Sequence, residues 1–206
     1  MSQVIFSISN IIEFSWNKFK EQPGLWVLVT ILSLLIGSFS DYGLAVDTEN
    51  LQSTFNPLGF LAGIVSLYIS ASLTLMAIKF VKGDAISFND LLAINFHQFI
   101  HYVFVTVIST IVMIIGFFFF ILPGFYIMAR LIFAQYLVLD KKLPFLEAMR
   151  ASWDTTNGNV LSIISFLFAM FFVVILGFLS LLIGLLVAVP VSTLATAKLY
   201  TIFFQD

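Results

Sequence analysis

The chain has no cysteine, two histidines and five prolines in 206 residues, and only 10% of it is charged. Without cysteine there is no disulfide, thiolate metal site, iron–sulfur cluster or cysteine nucleophile. Nine Lys and Arg stand against eleven Asp and Glu, a formal net charge of −2. That leaves no basic surplus to displace counterions from DNA or RNA, so nucleic acid is not an expected partner. An ordinary soluble domain is about 25% charged. Apolar residues fill the place of the missing charge: 61% of the chain is hydrophobic, and 25 residues are Phe. This excludes a soluble globular domain, a disordered chain and a collagen-like fibre, and describes an integral membrane protein.

A span needs about 20 mostly apolar residues. Five or six segments qualify, read as about 25–40, 57–80, 99–122, 124–140, 158–184 and 188–204. The fourth and sixth are short, and each carries a cation, Arg130 and Lys198. The expected fold is therefore all-α, a polytopic bundle forming a single membrane domain over 1–206. Basic residues set its orientation. Lys18 and Lys20, then Lys79 and Lys82, then Lys141, Lys142 and Arg150, and finally Lys198 all fall towards one face. The connection over 41–56 carries Asp41, Asp47 and Glu49 and no base. Six spans with both termini cytoplasmic satisfy this split. The start, Met1-Ser2-Gln3-Val4, lacks a basic n-region, so the first span is expected to be a retained anchor. Ser rather than Gly follows Met1, and no Cys is present to carry an acyl chain.

Three amphipathic stretches stand before apolar runs: Ile8 to Trp16, Phe88 to Phe96, and Phe145 to Trp153. In the first, Val4, Ile8, Ile11, Ile12, Trp16 and Phe19 share one face of a helix. Ser87 with Asp90 has the pattern of a capping pair, and Pro144 suits a first helical position. Each stretch leads into a span, a proline (Pro57, Pro123 or Pro190) and a second span. The chain thus reads as three helix–span–span repeats, at about 4–82, 86–142 and 143–206. The amphipathic helices would lie at the interface as a collar, with Trp16, Phe96 and Trp153 as anchors at the headgroup level. The competing reading makes each the end of a long tilted span.

Few residues offer chemistry. Arg130 lies seven residues after Pro123 and ten before Asp140, near the middle of its span. A charge there costs from ~2.5 kcal/mol upward unless it faces a partner or water. Its acidic options are Asp140, Glu147 and Asp154. Lys198 holds a similar place eight residues after Pro190. The two would line an inward pocket for an anion such as a phospholipid headgroup, or else snorkel to the interface. His97 and His101 share a helix face, but no further ligand accompanies them and no metal or other cofactor is expected. Asp41, Asp47 and Glu49 match no EF-hand loop. Gly59, Gly63, Ser66, Ser70 and Thr74 form a small-residue stripe suited to helix packing. Gln135, an amide inside a span, is expected to bond to a neighbouring helix. No nucleotide, hydrolase or kinase motif occurs, so no enzyme is expected.

One region carries a resemblance. Leu122-Pro123-Gly124-Phe125-Tyr126, Arg130, Val138-Leu139-Asp140-Lys141-Lys142, Phe145-Leu146-Glu147-Ala148-Met149-Arg150-Ala151-Ser152-Trp153 and Asn157-Gly158-Asn159 follow one pattern. It resembles the YciC-type family of uncharacterised bacterial inner-membrane proteins, and the membrane domain attached to some bacterial glycerophosphodiester phosphodiesterases. The resemblance implies an all-helical inner-membrane protein of roughly six spans. It implies no activity, because the phosphodiesterase catalysis belongs to a separate soluble barrel for which this chain has no room. The expected role is structural or accessory, in envelope or lipid homeostasis, with membrane lipids, anionic ones included, as partners. The alternative is a small transporter or lipid-handling protein that binds an anionic headgroup through Arg130 and Lys198.

Overall fold

The computed structural model describes residues 4–40, 44–47, 52–180 and 183–204. Among these the chain is overwhelmingly helical. Helix α1 (Ile8–Glu21) starts at Ser7, whose hydroxyl accepts from the Asn10 N–H, and runs to a sharp corner at Gln22. Pro23 opens α2 (Pro23–Ser40), where its missing N–H costs nothing. A short antiparallel pair, β1 (Leu44–Asp47) and β2 (Gln52–Phe55), then turns the chain, with Leu44 opposite Phe55. The sequence suggested only a connection there; Asp41 and Glu49 lie outside the described residues. Asn56 caps α3 (Pro57–Lys82) through its side-chain oxygen, with Pro57 at the first position. Gly83 ends α3 at φ 98°, a left-handed conformation in which Cβ is costly.

The second amphipathic stretch forms only a 3-10 turn, Phe88–Leu92, rather than the expected interfacial helix. Its capping pair is present, with Asp90 accepting from the Ser87 N–H at 2.8 Å. The stretch cannot continue as one helix because Asn95 caps a new one. Its oxygen accepts from the Gln98 N–H at 2.8 Å and starts α4 (Phe96–Phe119). The fourth expected span is interrupted. Helix α5 (Ile121–Leu131) and α6 (Ala134–Asp140) are separated at Ile132 and Phe133. Pro144 precedes rather than opens α7 (Phe145–Thr155), and its carbonyl accepts from the Ala148 N–H. Helices α8 (Val160–Leu179) and α9 (Leu185–Phe204) complete the chain.

Pro190, expected at the last turn, sits inside α9 instead. The turn is made earlier, where the Gly184 carbonyl accepts from Ala188 N–H at 2.8 Å. A Cβ on Gly177 would meet the Ala188 Cβ at 2.6 Å, so glycine lets α8 and α9 close tightly there. Gly116 and Gly124 serve α4 and α5 in the same way. From the expected packing stripe on α3, Thr74 is buried, and Ser70 is exposed but lies 3.3 Å from the Tyr102 hydroxyl.

Helices α3, α4, α8 and α9, and the segment Ile121–Asp140, are long and apolar enough to cross a bilayer. Together α1 and α2 make a sixth candidate, bent by 96°. The packing has a regular form. Helix α2 packs on α3, α4 on α5, and α8 on α9. Each of these outer helices also touches an earlier or closing partner: α4 touches α3, α8 touches α5, and α2 touches α9. The opening elements do the same, with the 3-10 turn on α3, α7 on α5 and α6, and α1 on α9. The centre is α3, α6 and α9, where Met76, Ala77, Leu137, Val138, Leu194 and Leu199 are buried. Large apolar side chains on α2, α4 and α8, such as Leu35, Phe118 and Phe172, are exposed on the outside.

Candidate functional site

The central helices end together, and their ends are charged. Cations suit a helix C-terminus because they oppose the partial negative charge of its free carbonyls. Lys82 lies in the last turn of α3 and Lys141 just past α6, while Lys198 lies before the last turn of α9. With Val81, Asp140, Tyr200, Thr201 and Phe204 they line a cleft of about 490 Å³. Asp140 is its organising acid. Lys82 Nζ donates to Asp140 Oδ1 at 2.6 Å, and the Tyr200 hydroxyl donates to Oδ2 at 2.7 Å. Tyr200 itself stacks on Tyr136 with ring centres 5.4 Å apart, tying α9 to α6. Lys141 Nζ lies 5.7 Å from the centre of the Phe204 ring, and Lys198 Nζ lies 4.5 Å from that of Phe14 on α1. The cleft thus presents three lysines to one carboxylate, which fits an anion.

Arg130 is elsewhere. It is the penultimate residue of α5 and is 4% exposed. Its guanidinium carbon lies 4.5 Å from the centre of the Trp153 ring on α7 and 5.6 Å from that of Tyr126. None of the acids considered for it pairs with it among the described residues, and Asp140 is taken by Lys82 and Tyr200. Its Nε and Nη1 are buried without a partner. The interruption beside it is stitched from α7. Ser152 Oγ donates to the Arg130 carbonyl at 2.8 Å and accepts from the Phe133 N–H at 3.2 Å, and Thr156 Oγ1 also reaches that carbonyl. The structure therefore does not bring Arg130 and Lys198 into one pocket. The interruption gives α6 to the cleft and leaves Arg130 against α7.

Of the expected anchors, Trp16 is 45%, Phe96 78% and Trp153 36% exposed. Trp16 stacks on Phe19 and has Lys20 over its ring; Phe96 opens α4; Trp153 covers Arg130. The buried face of α1, with Ile11, Ser15 and Phe19, packs on α9. His97 and His101 have ring centres 4.6 Å apart, and His101 stacks on Phe145. No group of three metal-ligating side chains occurs among the described residues. Gln135 Nε2 donates to Thr106 Oγ1 on α4 at 3.1 Å, the expected bond between helices. Gln98 was missed: its Nε2 donates to the Leu139 and Val138 carbonyls at the end of α6. Its signal was an amide in the first turn of an apolar run. Lys82 and Lys141 read in sequence as orientation marks and Asp140 as an acid for Arg130, and Tyr200 gave no signal. Comparison with protein-family models, curated proteins and solved structures found no match.

Proposed function

We propose that this chain is a non-catalytic, multi-pass protein of a bacterial inner membrane, with a structural or accessory role in envelope or lipid homeostasis. Within that role, the cleft at the ends of α3, α6 and α9 holds an anionic lipid headgroup. The observation that carries this reading is the cleft itself, a polar recess with Lys82, Lys141 and Lys198 in its wall. Phospholipid phosphate is the commonest anion beside such a bundle, and lysine attracts it as a point charge. This reading puts both termini in the cytoplasm, because basic residues are retained on that side of the membrane.

The same reading takes the chain as three repeats of an opening helix and two spans. Its support is the pairing of each opening element and each first span with the second span of the unit before it, α1 and α2 closing the ring on α9. Membership of the YciC-type family is part of this proposal and rests on the residues from Leu122 to Asn159.

The test is the lipid that the protein carries through purification in mild detergent, identified by native mass spectrometry. Wild type is expected to be enriched in anionic over zwitterionic phospholipid. A triple variant, Lys82→Gln, Lys141→Gln and Lys198→Gln, is expected to lose that enrichment. Unchanged lipids in a folded triple variant would overturn the headgroup reading and direct the search to protein partners.

A further inference from the structure

Arg130 poses a separate problem, independent of the cleft. A guanidinium is always charged, and burying it with donors unpaired costs several kcal/mol by the general scale for buried ions. Stacking on Trp153 and Tyr126 offsets part of this, since both rings present negative faces to the cation. Stacking does nothing for N–H donors, and Nε and Nη1 are the ones left empty. The backbone around them is over-determined, because Ser152 and Thr156 tie the Arg130 carbonyl and the Phe133 N–H to α7. So many bonds fixing one position suit a guanidinium held ready for a ligand. The two rings over the guanidinium are themselves 36% and 42% exposed, with centres 5.9 Å apart in an edge-to-face pair.

We infer that Arg130, Tyr126 and Trp153 form a second anion site, which takes the phosphate group of a phospholipid. The oxygens of a phosphate match arginine donors better than any single neutral acceptor does. Trp and Tyr are the side chains that settle at headgroup depth, which favours a lipid source over free phosphate. Because Nε and Nη1 have no open surface, the side chains packed on the guanidinium, Trp153 among them, must shift to admit the ligand.

Trp153 therefore reports on its own site. In a Trp16→Phe, Trp26→Phe background, its emission is followed in neutral micelles as dioleoyl-phosphatidylglycerol, dioleoylglycerol or inorganic phosphate is added. A saturable change with phosphatidylglycerol and none with dioleoylglycerol is expected. Arg130→Gln should weaken it by about tenfold or more, and Arg130→Lys by less. If the double background does not fold, Trp16→Phe alone serves, since Trp26 is buried at 1% exposure. A change with inorganic phosphate that needs Arg130, without one for the lipid, upholds the phosphate site and reassigns its source to solution. Equal responses to both lipids, or an undiminished response in folded Arg130→Gln and Arg130→Lys, would overturn the site.

Discussion

Helices α4 and α8 differ from α9 and the α5–α6 segment in a way that a soluble protein would reverse. The first two are the more apolar, yet only 22% of each one's most apolar stretch is buried. The other two are less apolar and 50% buried. In water the most apolar element is driven inside. In a bilayer the surroundings are as apolar as leucine, so hydropathy sorts helices by lipid exposure instead. The interior is then free to collect Arg130, Tyr136 and the small residues of α9.

The sharpest way to break this comparison is to truncate one Phe of each kind. Phe133 is fully buried against Tyr200, Phe203 and Phe204, whereas Phe172 on α8 is 60% exposed. Phe133→Ala is expected to cost ~3–5 kcal/mol, and Phe172→Ala within about 0.5 kcal/mol. Unfolding in micelles, followed by helical circular dichroism, measures both. Equal losses would mean that the outer ring is packed like the centre.

Ser152→Ala sharpens the comparison at the interruption. It leaves the Phe133 N–H without the Ser152 oxygen and removes one of the two hydroxyls on the Arg130 carbonyl. An expected loss of about 1–3 kcal/mol in the same assay reflects a buried donor left unpaired. The matched change on the outer ring is Ser165→Ala, whose hydroxyl only back-bonds to the Leu161 carbonyl in its own helix; it should change little.

The smallest effect concerns pH. The Lys79 ammonium, 2.7 Å from Asp90, and the Ser87 N–H hold the Asp90 carboxyl below its ordinary value of 3.8. A depressed folded pKa gives stability that is present above the unfolded value and lost as pH falls through the folded one. Melting temperature should therefore decline as pH is taken from about 5 to below the ordinary carboxylate range. Asp90→Asn should flatten that decline, and an unchanged slope would remove Asp90 from the account.

The readable parts of the fold were those with local causes. Apolar runs located α3, α4, α8 and α9 because a bilayer demands length and composition whatever the partner. The Ser87–Asp90 pair was legible because a cap spans three residues. The interruption after Arg130 was not, since Ile132 and Phe133 are ordinary helix-compatible residues and the stitch comes from Ser152, 22 positions from the carbonyl it binds. Pro190 misled because proline marks a turn in water but is tolerated within a span, where neighbours satisfy the freed backbone. Arg130 and Lys198 stand out in the sequence as cations within apolar runs, but nothing local says which way a side chain faces.

By itself, then, the sequence determined that this protein is helical and has several segments long and apolar enough to cross a membrane. Composition and hydropathy act residue by residue against the solvent, and they need no fold to be read. Only the tertiary structure decided which cations share a site. Lys82, Lys141 and Lys198 converge because α3, α6 and α9 end side by side, and Arg130 is set apart because α7 covers it. Those are contacts between residues dozens of positions apart, and burial and hydrogen bonding choose them only when the whole bundle closes.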